Sequence, residues 1–225
     1  MAAFNSSLCM KGIHVIKTGV FGVNSLIVPL EGKKCFVVDP ATCAISRDEK
    51  AVVSYLHDKK LECTGIVLTH SHFDHITGIA EVKKAFPNAL VLIHKNEYAE
   101  IQNPPGAMTV AVLKFFDCTQ LLPIVVGQPS AEIPLEDGQT LSCIGADKWR
   151  VIHTPGHTPG SICLYNKENK LLITGDTLFD CGGRGRTDMY GGDTAEIIRS
   201  ISMLRKIIPA GTTVYPGHEN FGFSF

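Results

Sequence analysis

The order of hydrophobic segments predicts an α/β fold in which two packed sheets carry helices on their outer faces, an αββα sandwich. Two observations carry this. Short apolar strands bounded by glycine or proline come in a run and give way to alternating strand and helix, and the second half of the chain repeats that order. A third bounds the size: 225 residues, 44% of them hydrophobic, suffice for a real core in one domain spanning 1–225, and no repeat, linker or low-complexity stretch divides them.

The first strands are read at His14-Val15-Ile16-Lys17, Ser25-Leu26-Ile27-Val28 and Cys35-Phe36-Val37-Val38. A helix from Ala51 to Leu61 follows, with Ser46 and Glu49 spaced as a capping box ahead of it. Gly65-Ile66-Val67-Leu68-Thr69 is short and apolar, as a buried strand requires, and His75 to Phe86 has helical spacing that Pro87 ends. A strand at Leu90–Ile93 completes a β-α-β unit. The second half gives strands around Leu141, Val151, Ile162 and Leu171, a turn at Asn166–Asn169, a helix from about Thr194 to Ile208 and a last strand at Thr213-Val214-Tyr215.

Twenty-one basic residues stand against 22 acidic ones, so no strong field draws the chain to nucleic acid or anionic lipid. The eight cysteines (Cys9, Cys35, Cys43, Cys63, Cys118, Cys143, Cys163 and Cys181) form no C-x-x-C pair, and several stand in apolar runs. They read as reduced, buried small hydrophobes, neither a disulfide framework nor a thiolate zinc site. The N-terminal MAAFNSSLCMKG lacks a basic region followed by an apolar core, and no apolar stretch approaches a membrane span, so the expected compartment is the cytoplasm.

Chemistry concentrates in Thr69-His70-Ser71-His72-Phe73-Asp74-His75, where a buried strand gives way to a helix. His70 and His72 are two apart, so in extended chain they point to one side and can grip one metal, while Asp74 and His75 can face a neighbouring one. Three histidines and an aspartate in six residues are hard to explain as packing, because a buried charged cluster needs a partner and a cation supplies it. Further candidates stand among glycines at strand ends: His157 in Thr154-Pro155-Gly156-His157-Thr158-Pro159-Gly160, Asp176 in Ile173-Thr174-Gly175-Asp176, and His218 in Tyr215-Pro216-Gly217-His218.

THSHFDH, TPGHTPGS, GDTLF and PGHE, in this order, resemble the signature of the metallo-β-lactamase superfamily over Thr69 to His218. The resemblance implies His70, His72 and His157 on a first metal, Asp74, His75 and His218 on a second, and Asp176 between the two. Nitrogen and oxygen ligands without cysteine suit two zinc ions, and also accept iron or manganese. Such a pair lowers the pKa of a bound water and polarises a carbonyl under attack; Asp74 is the catalytic candidate that orients the nucleophile.

The loop from Gly175 through Arg184-Gly185-Arg186-Thr187-Asp188 to Asp193 resembles that of glyoxalase-II-like thioester hydrolases, whose matching loop carries a basic residue that contacts substrate. That match makes Arg186 the candidate for a substrate carboxylate; the alternative is that Arg186 and Asp188 pin the loop by a salt bridge. Only seven residues follow His218, so the chain resembles the short form that lacks the C-terminal helical domain. The expected substrate is a small molecule, an acyl thioester, whose thiol leaves with little acid help. The alternatives are a mononuclear-iron persulfide dioxygenase, a lactone or β-lactam hydrolase and, outside enzymes, a metal-binding sensor; nothing suggests RNA.

His14, His57, His94 and His153 are left out of the site, His14 and His153 as strand histidines and His57 as a solvated one. Tyr190 reads as a partly buried packing residue. The aromatic tail Phe221-Gly222-Phe223-Ser224-Phe225 needs cover, from a dimer contact or from its own domain. Monomer and homodimer both stay open.

Overall fold

Alternation along the strands sorts side chains into separate cores. In β2 (Val23–Pro29) Leu26 and Val28 face one way and Ile27 the other; in β3 (Lys34–Val38) Phe36 and Val38 oppose Cys35 and Val37. Strands buried on both faces read as near-continuous apolar runs for this reason. The computed structural model describes residues 12–225. The N-terminal reading, Cys9 included, falls outside these described residues.

The first sheet runs in spatial order β1 (His14–Thr18), β2, β3, β4 (Glu62–Val67), β5 (Leu90–His94) and β6 (Ile133–Leu135). Its members from β3 onward are parallel. The second sheet runs β12 (Phe223–Ser224), β11 (Thr213–Pro216), β10 (Leu171–Gly175), β9 (Ile162–Asn166), β8 (Ala146–His153) and β7 (Thr140–Leu141). Between the sheets, Leu26, Val28, Phe36 and Val38 meet Trp149, Val151, Ile162 and Leu164. Phe36 and Trp149 pack edge to face with ring centroids 5.7 Å apart.

Helices cover both outer faces. α1 (Ala51–Asp58), α3 (Ile79–Ala85) and α4 (Ala107–Phe115) bury Val52, Leu56, Ile79, Val82 and Val112 over Ile27, Val37 and Ile66. α5 (Thr194–Ile207) buries Leu204 against Ile152, Cys163, Leu172 and Val214. Asp193 caps α5 by accepting the Glu196 N–H at 2.9 Å. The αββα sandwich read from the sequence is the fold.

Several details differ. Ser46 and Glu49 form no capping box: the Ser46 hydroxyl donates to Asp48 at 2.6 Å, and Lys50 stands at the helix start without a side-chain cap. The helix expected at His75–Phe86 is two pieces, α2 (Phe73–Ile76) and α3, because Gly78 turns the chain so tightly beneath Pro40 and Thr42 that a Cβ there would collide with both. Cys143 and Cys181 are exposed, against the expectation of burial, whereas Cys35, Cys43, Cys63 and Cys163 are buried. The tail packs back on its own domain: β12 pairs with β11, and Phe225 joins the cluster under α5. Among the described residues no helix is long and apolar enough to cross a membrane.

Candidate metal centre

The carboxyl ends of β3, β4, β8, β10 and β11 open at the same edge of the sandwich, and the chemistry-bearing residues follow those ends. His70 and His72 leave β4, Asp74 and His75 occupy the short α2, His157 lies in the β8–β9 loop, Asp176 follows β10, and His218 follows the parallel neighbour β11. His70, His72 and His157 bring one ligand atom each within 4.8 Å of one another; so do Asp74, His75 and His218. Asp176 stands between these groups, 3.5 Å from Nε2 of both His157 and His218 and 3.6 Å from Nε2 of His75. All seven sequence candidates for metal ligation therefore meet in one place. A third grouping, Asp39 with His70 and His75, was not foreseen.

The hydrogen bonds assign tautomers. His157 Nδ1 lies 2.8 Å from the Arg186 carbonyl, which only accepts, so the proton is on Nδ1 and Nε2 is bare. His75 Nδ1 faces the Asp39 carboxylate at 3.0 Å and His218 Nδ1 faces the Phe21 carbonyl at 3.3 Å, which fixes a proton on each Nδ1 and leaves Nε2 the atom that is bare whenever the ring is neutral. Those two Nε2 atoms lie 3.2 Å apart. Lone pairs directed at each other in a buried site repel unless something positive lies among them. Buried His72 Nε2, His157 Nε2 and Asp176 Oδ1 have no hydrogen-bond partner. Orphaned acceptors converging with carboxylates are the arrangement a divalent cation satisfies, so these residues fit the metal pair that the motif implies.

Electrostatics agree. Burial and the neighbouring imidazoles push His70 and His72 well below the usual histidine pKa, so both are neutral, as ligands must be. Burial also opposes a charge on His75, but the carboxylates of Asp176, Asp74 and Asp39 outweigh it and push its pKa up to about 10. Burial works against ionisation of Asp74, yet His75 and His218 hold its carboxyl well below the usual range. His218 is raised: burial opposes its charge, and the Asp74 carboxylate more than compensates. With only protons to balance it, the cluster of carboxylates draws positive charge onto the imidazoles, the charge that a metal cation otherwise supplies.

Two residues that the sequence reading missed hold the candidate ligands in place. Asp39, buried at the end of β3, accepts the Thr69 N–H at 2.7 Å and the Thr69 hydroxyl at 2.6 Å, and orients His75. Buried Glu97 accepts the Ser71 N–H at 2.6 Å and the Gly160 N–H at 2.7 Å, tying the His70–His72 loop to the His157 loop. An acidic residue just after the apolar run Val37-Val38 was the one available signal for Asp39; Glu97 had none. Backbone closeness matters too: a Cβ on Gly217 would collide with Asp176 Oδ1.

Arg186 lines the cavity beside the centre, but its guanidinium forks onto Asp188 with two bonds of 2.7 Å and stacks over Phe115 and Phe116, 5.2 and 4.9 Å from the ring centroids. Tyr190, expected to pack, is 59% exposed. His14 stacks on Tyr55 at 3.9 Å and His94 on His153 at 4.0 Å, both outside the centre.

Comparison with known proteins places the site in a lineage. The profile of the metallo-beta-lactamase superfamily matches residues 18–218. The chain is 32% identical to the probable metallo-hydrolase YqgX of Bacillus subtilis, over 84% of this chain and 86% of that protein. It is also 32% identical to a hydroxyacylglutathione hydrolase of Pseudoalteromonas translucida, over 83% of this chain but only 56% of that protein. Among solved structures, the BLEG-1 B3 metallo-beta-lactamase superposes with a TM-score of 0.80 at 30% identity, covering 95% of this chain and 94% of that one. TTHA1623 in a di-iron-bound form superposes with a TM-score of 0.71 at 26% identity, covering 92% of both. The motifs, the fold and the converging histidines have one common origin: this chain belongs to the metallo-beta-lactamase superfamily.

Proposed function

We propose that this metallo-hydrolase cleaves acyl thioesters with two metal ions, zinc by preference. His70, His72 and His157 would hold one ion, Asp74, His75 and His218 the other, and Asp176 would contact both. When bound, such a pair acidifies a coordinated water and polarises the substrate carbonyl. The single observation that carries a hydrolytic reading is the convergence of bare imidazole nitrogens and orphaned carboxylate oxygen on a cavity of about 710 Å³.

The chain's own contributions follow from the geometry. Asp74 Oδ2, on the cavity wall and 3.5 Å from His218 Nε2, accepts a hydrogen bond from the attacking water and so aims its lone pair at the carbonyl carbon. A carbon–oxygen bond forms, the carbon–sulfur bond breaks, and the thiolate takes a proton from the water, leaving a carboxylic acid with no change of oxidation state. A thiol pKa of about 8.5 lets that thiolate depart with little acid help. The hydroxyacylglutathione hydrolase relative supports a thioester as substrate, and the BLEG-1 neighbour keeps a β-lactam as the alternative. The di-iron relative keeps iron as the alternative metal.

Purified protein with its metal content measured, assayed against thioesters, lactones and β-lactams, tests the proposal. Thioesters turned over at least tenfold faster than the other two classes support it; a β-lactam or lactone as the best substrate overturns it.

A further inference from the structure

We propose that Asn24 is a positioning residue for His218 and thereby sets the affinity of the second metal site, the one built from Asp74, His75 and His218. The inference rests on the two-metal reading above and concerns how this chain keeps its second ion.

His218 is the candidate ligand least held by packing. Its side chain is 20% exposed, against 12% for Asp74, 10% for Asp176, 3% for His157 and 0% for His75, and His70 and His72 are buried. It stands in the irregular segment 217–222 between β11 and β12, where Glu219 adopts a left-handed φ of 64°, a conformation unfavourable for a residue with a side chain. Where the ring points therefore depends on what grips its backbone and its Nδ1.

The first hairpin supplies those grips. Asn24, on β2 opposite Lys17 of β1, donates its backbone N–H to the Gly217 carbonyl at 2.7 Å. Its side-chain Nδ2 donates to the Pro216 carbonyl at 3.0 Å and to the Glu219 carbonyl at 3.4 Å. One residue thus holds carbonyls on both sides of His218, and from the same hairpin the Phe21 carbonyl accepts from His218 Nδ1 at 3.3 Å. The Gly217 N–H donates in turn to the Gly175 carbonyl at 2.8 Å, so the segment is bonded to both sheets at the edge where the candidate ligands meet.

The Asn24 amide is oriented for this contact at a cost. Both of its partners are carbonyls, so Nδ2 must face them and Oδ1 must face away. Asn24 is only 1% exposed, and its Oδ1 is buried with no hydrogen-bond partner among the described residues. An acceptor left unmade in the interior is unfavourable, and an apolar side chain would avoid it, so core packing does not account for asparagine here. Donation to both flanks of His218 does. The loops of His70, His72 and His157 are tied instead by Glu97, so the two ions should answer to different residues.

The test returns zinc to metal-stripped full-length protein in competition with a chromophoric chelator and follows the imidazole nitrogens by NMR. Asn24→Ala removes both side-chain donors and keeps the backbone N–H; it should weaken one of two zinc sites by about 10–100-fold and leave the other within about twofold. At one ion per chain the nitrogens of His75 and His218 should be unbound and those of His70, His72 and His157 bound. Glu97→Gln should weaken the opposite site. Asn220→Ala cuts another tether of the same segment, the bond to Asp180 at 3.3 Å, and should leave both sites unchanged. Asn24→Ser carries the same comparison if the alanine variant does not fold without metal. Parental affinity at both sites in the Asn24 variants, equal loss at both sites, or the same selective loss in Asn220→Ala overturns the inference and spares the two-metal reading. A parent that binds a single ion refutes the two-metal reading and the inference with it.

Discussion

Glu97→Gln removes one acceptor from a carboxylate that otherwise serves two backbone N–H groups, Ser71 at 2.6 Å and Gly160 at 2.7 Å, in a fully buried position. Glutamine keeps the shape but offers one oxygen, so one N–H loses its partner and faces an amide NH₂ instead. A hydrogen bond to a charged acceptor contributes ~1.5–3 kcal/mol, and a buried donor left unsatisfied is costly in its own right, so a destabilisation of about 3 kcal/mol is expected. Both donors belong to loops that carry His70, His72 and His157, so metal affinity should fall as well, by roughly 10–100-fold as for other groups that hold ligands in place. Denaturant unfolding of the metal-stripped protein reads the first effect, and competition with a chelator reads the second. A variant within about 1 kcal/mol of the parent, with unchanged chelator competition, would refute the view of Glu97 as the tie between the ligand loops.

Asp74→Asn should lower kcat by several hundred-fold, about 4 kcal/mol in barrier, with KM little changed and the fold intact; parental turnover at full metal content would remove Asp74 from the mechanism. Gly217→Ala drives a Cβ into Asp176 Oδ1, so metal analysis should find it markedly depleted; normal loading would show that the loop gives way freely. The stability of the metal-stripped protein should peak near pH 6.5. His70 and His72 have folded pKa values below the unfolded one, so acidification through that range costs stability; His75 is raised to about 10, so its contribution is complete below about pH 6.5 and is lost as the pH rises towards 10. Thermal melts across pH check this, and a flat profile over pH 5–10 would contradict the assigned environments.

The layers of the fold and the convergence of the seven candidate residues were legible because each is written locally. Val37-Val38 and Gly65–Thr69 declare buried strands by composition, and the seven candidate ligands stand in short motifs at strand ends, so their convergence needs only that the strands point one way. Asp39 and Glu97 were not legible, since the groups they hold lie 30 and 26 residues away in sequence and nothing in their neighbours marks the pairing. The segment between β5 and β6 carried no reading at all. Its apolar residues fall in short 3₁₀ turns and in α4, broken by Pro104-Pro105-Gly106, so no period is sustained long enough to identify. Ser46 and Glu49 misled because the spacing of a capping box recurs in turns, where Asp48 competed for the serine hydroxyl.

Stepwise return of zinc to stripped protein, with bound metal counted and thioester turnover followed on the same samples, tests the two-metal hydrolase most directly. Activity should rise until close to two ions are bound per chain and then stay level. Full activity at a single bound ion, or a protein whose native metal is one iron and which consumes oxygen with a persulfide while leaving thioesters intact, would contradict it.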